Sequence, residues 1–385
     1  MMELAQKVID CCRTLATCTE EPGRTTRTFL SPPMHDVHRH LSGWMRELGM
    51  EESIDSAGNL RGVRAGTKKR YAIGSHLDTV PNAGAFDGIL GVVMGIALVE
   101  ALGLSAPAAT IEIIGFSEEE GVRFGVPFIG SRATVGTLEL TPEMRDAIRA
   151  FGLQDAGLPA ARLSSETSAY FEFHIEQGPV LESLGLPLGV VDAIAGQSRL
   201  TFIFEGKANH AGTTPMHLRH DALAAAAEWI LEVERAGLIA TAGAIVVEPN
   251  AGNVVPGLAK LTLDVRDACD EKRRAAVSKL IQSAQQIGRR RGVAAHYEER
   301  LDQAAVSMHP SLTNSLARAV EQSGYVVHHM ISGAGHDAMI IAPHFPSAML
   351  FLRSPGGISH HPDEDVLVED VAAALHVGLE LLRNA

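Results

Sequence analysis

The sequence lacks any long uninterrupted apolar run. Among its 385 residues, the longest apolar-rich stretch, 89–104, is interrupted by three glycines and one glutamate. It is also shorter than the roughly 20 residues that a membrane-spanning helix needs. The first residues do not combine a basic stretch with an apolar one, so no signal peptide is predicted. We therefore expect a protein with no membrane segment.

Cysteine is also scarce in this chain. The four cysteines are Cys11, Cys12, Cys18 and Cys269, and none has the spacing of a zinc-finger ligand pair. The sequence therefore predicts neither a disulfide framework nor a cysteine-based metal site. A reducing cytoplasm is the expected location.

Basic residues are fewer than acidic ones. Lys and Arg total 33 against 46 Asp and Glu, which gives a formal net charge of −13. The basic runs 68–70 and 289–291 are short and typical of solvated helix ends or turns. Because the surplus of acid repels phosphate backbones, we expect no nucleic-acid partner. The 46% hydrophobic and 21% charged fractions instead indicate a folded globular chain.

The first part of the chain alternates short apolar strands with helices. Residues 71–75 and 110–116 are predicted strands, each followed by a polar cluster, and an apolar helix covers about 87–102 between them. The same kind of pattern resumes after residue 304. It predicts an α/β layered sheet with its chemistry at the strand ends.

A different pattern occupies residues 197–304. The predicted order of strand, helix, two strands, helix and strand is that of a ferredoxin-like unit. We therefore predict two domains. Residues 1–196 and 305–385 form a discontinuous catalytic domain with a mixed-sheet α/β/α architecture, and the βαββαβ segment is inserted in it.

Five segments place histidine or acidic residues at predicted strand ends or in loops. They are 76–78, 87–88, 119–121, 174–177 and 359–362. Taken singly, each is typical of ordinary structural or surface polarity, but their recurrence after successive strands favours a site for Zn²⁺, Mn²⁺ or a similar ion. Asp87 is suited to bridge two ions, since Gly84 and Gly88 flank it and its two oxygens can each face one ion.

Glu119 and Glu120 directly follow a predicted strand. Because side chains alternate faces along a strand, we expect the two carboxylates to point in different directions, one as a ligand and one as general base. Asp78 is expected to bond the far nitrogen of His76 and so to fix the tautomer of that imidazole.

Longer motifs extend this pattern over nearly the whole chain. They are GSHLDTVP (74–81), FDG (86–88), FSEEEGVRF (116–124), HIEQGP (174–179), NHAGTTPM (209–216), NVVPG (253–257), LDVRD (263–267), SGAGHDA (332–338) and GISH (357–360). In this order they resemble the hydantoinase/carbamoylase family of amidohydrolases, which belongs with the two-metal aminoacylases and carboxypeptidases. The resemblance implies a metallopeptidase-like catalytic domain. It also implies hydrolysis of the ureido group of N-carbamoyl amino acids, 3-ureidopropionate or allantoate.

Matched motif by motif, the resemblance implies two divalent metal ions, Zn²⁺ or Mn²⁺, in each subunit. The implied metal ligands are His76, Asp87 (bridging), Glu120, His174 and His360. Glu119 is implied as general base, and Asp78 and His210 also take catalytic roles. Glu118 and His361 are expected to be bystanders.

Contacts with the substrate are also implied by the resemblance. The implied groups are Gln177, His210, Arg219, Asn253, Arg266 and Gly335. Arg266 suits a substrate carboxylate, because a planar guanidinium binds a carboxylate bidentately. Arg219 is equally typical of a solvated helix residue. Arg353 is expected either to meet a polar ureido tail or to form a structural salt bridge, and His336 is left without a role.

Family members are typically dimers through the inserted domain. The resemblance therefore implies a homodimer in which residues 197–304 serve as lid and dimerisation domain. Within this resemblance, Met339 and the segments 185–191, 349–353 and 356–360 favour allantoate as the small ureido carboxylate substrate. The alternatives are an N-carbamoyl-L-amino acid hydrolase or 3-ureidopropionase, an aminoacylase or dipeptidase of the same clan, and a catalytically silent dimeric scaffold.

Overall fold

The computed structural model describes residues 1–103 and 109–383. Residues 104–108 and 384–385 lie outside the described residues, and with them the end of the apolar run and the last two positions of the predicted catalytic segment. The chain divides into two compact units. Unit 1 comprises Met1–Asp192 and Ser307–Ala385, and unit 2 comprises Ala193–Val306.

Strands and helices are numbered along the chain. The strands are β1 (Glu51–Ile54), β2 (Leu60–Arg64), β3 (Arg70–His76), β4 (Thr110–Phe116), β5 (Thr167–Ile175), β6 (Leu188–Ile194), β7 (Gly196–Glu205), β8 (Asn209–His210), β9 (Ile239–Glu248), β10 (Val254–Val255), β11 (Leu258–Asp267), β12 (Ala294–Gln303), β13 (Val306–Ser307), β14 (His329–Ser332) and β15 (Ser347–Leu352). The α-helices are α1 (Met2–Ala16), α2 (Pro32–Glu47), α3 (Ile89–Leu102), α4 (Ile129–Val135), α5 (Pro142–Ala150), α6 (Val180–Leu184), α7 (Ala222–Glu234), α8 (Asp270–Arg291), α9 (Pro310–Gln322), α10 (Asp337–Ile341) and α11 (Val368–Arg383).

Unit 1 is built on a mixed sheet whose central strands run in the order β4-β3-β5-β15 and are parallel. The neighbouring strands β2 and β6 are antiparallel to them. The central strands are almost continuously apolar because helices cover them, as is typical of parallel sheets. The predicted α/β class with a mixed sheet is confirmed.

Helix α3 explains the long apolar stretch of the sequence. It packs against β3, β4 and β5 on one side and against α1 and α11 on the other, so that Ile89–Val99 is buried on every face. A helix enclosed in this way has no polar stripe. In the described ranges, no helix combines the length and the apolar character required to cross a membrane.

Unit 2 holds a four-stranded antiparallel sheet in the order β12-β7-β11-β9. Helices α7 and α8 pack on this sheet and bury Trp229, whose indole Nε1 donates to the carbonyl of Leu280 at 2.9 Å. A short antiparallel ribbon of β8 and β10 adds to the βαββαβ order. Strand β9 lies at one edge of the sheet.

Candidate metal centre

Histidine and acidic side chains converge at the carboxyl edge of the parallel strands in unit 1. His76 ends β3, His174 lies near the end of β5, Glu119 and Glu120 follow β4, His360 follows β15, and Asp87 stands two residues before α3. The carboxyl ends of parallel strands meet at one edge of a sheet, where α/β enzymes hold their ligands. All five predicted metal ligands are therefore brought together by the topology.

Asp87 lies between two groups of donors. Its Oδ1 is 3.4 Å from His174 Nε2 and 3.8 Å from His76 Nε2, whereas its Oδ2 is 3.2 Å from His360 Nε2. His360 Nε2 in turn lies 3.5 Å from Glu120 Oε1. The donors form three groups, His76–Asp87–His174, Asp87–Glu120–His360 and His76–Glu119–Glu120, each with its donor atoms within 4.8 Å of one another. Asp87 belongs to the first two. This is the arrangement that a carboxylate bridging two ions requires.

His174 has the form of a metal-binding imidazole. Its Nδ1 lies 2.9 Å from the carbonyl oxygen of Ile175, to which it donates, while its buried Nε2 has no hydrogen-bond partner among the described residues. Burial lowers the pKa of His174 to about 4, so the ring is neutral near pH 7. A buried acceptor nitrogen without a partner is costly unless a ligand occupies it, and a divalent ion fits this position.

Glycine at position 88 is required by the approach of His76. Gly88 has a φ of +67°, and a Cβ at this position would lie 2.4 Å from atoms of the His76 ring. Any side chain would therefore displace one of the donors. The glycines that flank Asp87 in the sequence leave room for close approach, as the sequence predicts.

Asp78 organises two parts of the site. Its Oδ1 is 3.3 Å from His76 Nδ1, and its carbonyl oxygen is 3.1 Å from the same nitrogen, so that His76 Nε2 faces the cluster. The same carboxylate accepts the backbone N–H groups of Glu119 at 2.9 Å and of Glu120 at 3.2 Å. The sequence predicts the first contact and misses the second.

The expected divergence of Glu119 and Glu120 is wrong. Both carboxylates have an oxygen within 4.8 Å of a His76 ring nitrogen, so they face the same cluster. The two residues lie in a bend beyond the end of β4, where the alternation of a strand no longer applies. The backbone bonds to Asp78 hold this bend.

The electrostatics of the cluster favour a bound cation. Burial raises the pKa of Glu119 well above its usual range and raises that of Glu120 to about 7, to which the neighbouring Asp87 contributes. Burial also opposes ionisation of Asp87, but the surrounding histidines outweigh it and hold the pKa of Asp87 below its ordinary value. Several carboxylates thus share one buried space, where positive charge would stabilise them.

Gln177 lies beside the donors. Its Nε2 is 3.0 Å from Asp87 Oδ2 and donates to Ser359 Oγ at 3.2 Å. Gln177 has a φ of +58° and His360 a φ of +54°, in the left-handed region that non-glycine residues rarely adopt. Such strained backbone is concentrated at functional sites.

Gly335 lies beside Glu119 and against the Phe128 ring. A Cβ there would be 3.5 Å from Glu119 Oε1 and 3.0 Å from the Phe128 ring. The next residue, His336, is buried, with its Nε2 2.8 Å from Ser332 Oγ. The ring centroids of His336 and His174 are 4.4 Å apart, so the His336 ring packs against the metal-ligand candidate His174.

Other predicted substrate groups belong to unit 2. His210 on β8 and Asn253 in the turn before β10 are exposed, and the N–H of Ala211 donates to the Asn253 carbonyl at 2.9 Å. Arg219 donates to the carbonyl oxygens of Thr214 at 3.0 Å and Ala211 at 2.6 Å. Its guanidinium therefore holds the loop that follows His210.

Arg266 already binds a carboxylate within unit 2. Its Nε and Nη2 lie 2.9 and 3.2 Å from the two oxygens of Asp264, which also accepts from Arg199 Nε at 2.9 Å. Burial opposes ionisation of Asp264, but the two guanidinium groups outweigh it and lower its pKa. The Arg266 guanidinium, which is predicted to bind a substrate carboxylate, binds the carboxylate of Asp264 in this structure.

Three further residues have contacts or burial that the sequence either left open or missed. Arg353 binds both oxygens of Asp370 at 2.8 Å, which is the salt-bridge alternative. Glu118 is fully buried, and burial together with Asp78 raises its pKa to about 8. Glu364 contacts the backbone of Asp87, and no periodicity or motif in the sequence distinguishes it from surface acid.

The family of the chain follows from comparison with known proteins. Residues 72–384 match the sequence pattern of Peptidase family M20/M25/M40, and the chain belongs to this family.

Individual relatives are similar over nearly their whole length. The chain is 36% identical over an alignment of 422 positions to allantoate deiminase 1 of Glycine max, with 96% of this chain and 87% of that protein covered. It is 39% identical over 382 positions to an N-carbamoyl-L-amino acid amidohydrolase of Geobacillus stearothermophilus, with 94% and 92% covered. The solved structure of a hydantoinase/carbamoylase-family amidase from Burkholderia multivorans has a TM-score of 0.92 at 28% identity and covers 99% and 97%. The predicted resemblance to this family is confirmed.

Proposed function

We propose that this protein is a metal-dependent amidohydrolase that hydrolyses the ureido C–N bond of a small carboxylate, with allantoate as the substrate. The observation that carries the proposal is Asp87, whose two oxygens face separate donor groups with Glu119 beside them. The names of the relatives support the substrate class, because allantoate and N-carbamoyl amino acids share a ureido group and a carboxylate.

Two divalent ions, Zn²⁺ or Mn²⁺, are the proposed cofactors. One position would be held by His76, Asp87 and His174, and the other by Asp87, Glu120 and His360. When bound, such ions polarise a substrate carbonyl and lower the pKa of water toward about 7.

Protein side chains then handle the protons. Glu119 takes a proton from the attacking water, whose oxygen bonds to the ureido carbon, and passes it to the nitrogen that leaves when the C–N bond breaks. Asp78 keeps His76 in the tautomer that presents Nε2 and holds the Glu119 backbone. His210 is proposed to donate a hydrogen bond to the oxygen that gains negative charge.

The substrate carboxylate is proposed to bind Arg266, in exchange for part of its pairing with Asp264. Gln177, Asn253 and Gly335 are the further proposed contacts. The role of Arg219 is proposed to be indirect, since its guanidinium bonds the loop after His210.

A homodimer through unit 2 is also proposed. Strand β9 is a ten-residue edge strand in which Ile239, Ile245 and Val246 are exposed. A long, exposed apolar edge offers unpaired backbone groups to another strand, and a second copy presents the same edge. A lid function of this unit and a cytoplasmic location stay predictions.

A substrate panel tests the proposed activity. Protein loaded with Mn²⁺ or Zn²⁺ is given allantoate, 3-ureidopropionate, N-carbamoyl-L-amino acids, an N-acetyl amino acid and a dipeptide. Ammonia release is measured for the ureido compounds, and release of free amino acid is measured for the N-acetyl amino acid and the dipeptide, whose hydrolysis yields no ammonia. We expect ammonia from the ureido compounds, with allantoate the fastest. Cleavage of the plain amides alone would favour the aminoacylase or dipeptidase alternative, and purified protein that retains no metal would favour the scaffold.

A further inference from the structure

One buried carboxylate links the two loops that carry Asp87 and His360. Glu364 is 4% exposed. Its Oε1 accepts the backbone N–H groups of Phe86 at 3.1 Å and Asp87 at 2.9 Å, and its Oε2 accepts the hydroxyl of Ser359 at 3.1 Å. Positions 86–87 and 359–360 are thus tied to the same side chain, although they are far apart along the chain.

The surroundings of Glu364 keep its side chain in place. A Cβ on Gly84 would lie 2.4 Å from the Glu364 Cβ and 2.6 Å from its Oε1, so the loop backbone packs directly on this side chain. Ser359 also accepts from Gln177 Nε2, which donates to the Asp87 carboxylate. Glu364, Ser359, Gln177 and Asp87 therefore form a closed ring of hydrogen bonds.

The two donor groups differ in how the backbone holds them. His76 and His174 lie in strands β3 and β5, whose ladders determine their positions. Asp87 lies in a turn before α3, and His360 lies in a bend with positive φ. The group Asp87–Glu120–His360 depends on contacts between loops for its spacing, and Glu364 supplies such contacts.

We propose that Glu364 is a positioning residue that sets the spacing between Asp87 and His360 and so preassembles the second metal position. The inference rests on the proposed metal centre. Residues that orient metal ligands typically change metal affinity about 10- to 100-fold when replaced. The effect should fall on the ion bound by Asp87, Glu120 and His360 more than on the ion bound by the strand histidines.

Two substitutions at this position separate geometry from charge. Glu364→Ala removes the acceptors of both loops. Glu364→Gln keeps an oxygen for the N–H groups of Phe86 and Asp87 and offers an amide N–H to the Ser359 hydroxyl. If the link acts by positioning, glutamine should restore the affinity to within about threefold of that of the unchanged protein, a small part of the 10- to 100-fold loss.

The test is a calorimetric titration of metal-free protein with Mn²⁺, which reads affinity and stoichiometry without turnover. Glu20→Ala is the matched control, since Glu20 accepts a backbone N–H and a hydroxyl from Thr28 at the surface of the same unit. We expect two ions in the unchanged protein and in the control. Glu364→Ala should bind one of the two ions about 10- to 100-fold less tightly and change the affinity for the other less.

The outcomes distinguish this inference from the proposed function. Two tightly bound ions in Glu364→Ala, or an equal loss in Glu364→Gln, would overturn the positioning role and leave the metal centre intact. Absence of ions from the unchanged protein would overturn both. Should Glu364→Ala fail to fold, Ser359→Ala removes only the hydroxyl between the loops; weaker binding of the same ion would support the inference, and unchanged binding would overturn it.

Discussion

The two units hold their candidate functional residues in contrasting ways. In unit 1, His76, His174 and Asp87 are buried and Glu120 is half-buried, whereas His360 is exposed. Neighbouring groups bind the imidazole nitrogens of His76 and His174 that do not face the cluster. In unit 2, His210 on β8 and Asn253 just before β10 are exposed. Donors that must share an ion gain from being fixed before it binds, because the energetic cost of burying them is met during folding. Groups that select a substrate can instead remain accessible.

The largest expected effect tests the chemistry assigned to unit 1. Glu119→Gln should retain both metal ions but lower kcat by about 10³-fold or more, because the amide cannot accept the proton. Metal content and kcat are measured on the same preparation. Glu118→Gln is the matched control, since this buried carboxyl has its pKa raised to about 8 and resembles an amide in charge near pH 7. Full turnover in Glu119→Gln would exclude it as the base.

Burial in unit 1 should also make its stability sensitive to acid. His38 on α2 is buried against Phe151, and neither ring nitrogen has a hydrogen-bond partner within the part of the chain that is described. Burial, with smaller effects of His35 and Arg27, lowers the pKa of His38 from 6.5 to about 4. As the pH falls, His38 is therefore protonated at a higher pH in the unfolded chain than in the folded protein.

The contribution of neutral, buried His38 to the free energy of unfolding is fully present above about pH 6.5. It is lost as the pH falls toward 4, by about 3 kcal/mol in total. His38→Leu should remove this part of the pH dependence, as measured by urea unfolding of metal-free protein at pH 7 and pH 4.5. His40→Leu, an exposed position on the same helix, should behave as the unchanged protein does. Equal acid sensitivity in all three proteins would contradict the assignment.

The next prediction tests substrate binding in unit 2. Arg266→Ala should raise KM about 10- to 100-fold with little change in kcat, because a lost pair of charge-assisted bonds weakens binding of substrate and transition state alike. Arg199→Ala is the control, since Arg199 also binds Asp264 but is not a predicted substrate group. A similar rise in KM for both variants would mean that Arg266 acts only through its structural ion pair with Asp264 and does not bind the substrate.

The sequence predicted those parts of the fold that depend on local, repeated patterns of apolar and polar residues. The apolar strands β3 and β4, the helix after Asp87 and the polar residues at the strand ends follow from hydrophobic periodicity. Parallel strand ends meet at one edge, so the gathering of His76 and His174 could be anticipated.

The contacts that hold the site were not predictable in the same way. Asp78 binds the backbone of residues 119–120, and Glu364 binds that of residues 86–87, over long sequence separations. Such hydrogen bonds depend on the three-dimensional path of the loops. An isolated acidic residue in a polar loop belongs to no sequence pattern that would identify its partner. The bend that turns Glu119 and Glu120 toward the same cluster is another example.

The smallest expected effect concerns the exposed edge of unit 2. Val246 on β9 is 58% exposed and Val326 in unit 1 is 64% exposed, so a lysine side chain would be similarly exposed to solvent at either position. In a symmetric dimer through β9, Val246→Lys would place two lysines in one interface, and like charges there should weaken association by up to about fivefold. Light scattering across a dilution series should show monomer at higher concentration for Val246→Lys than for Val326→Lys. Identical dimerisation of the two variants would move the interface away from this strand.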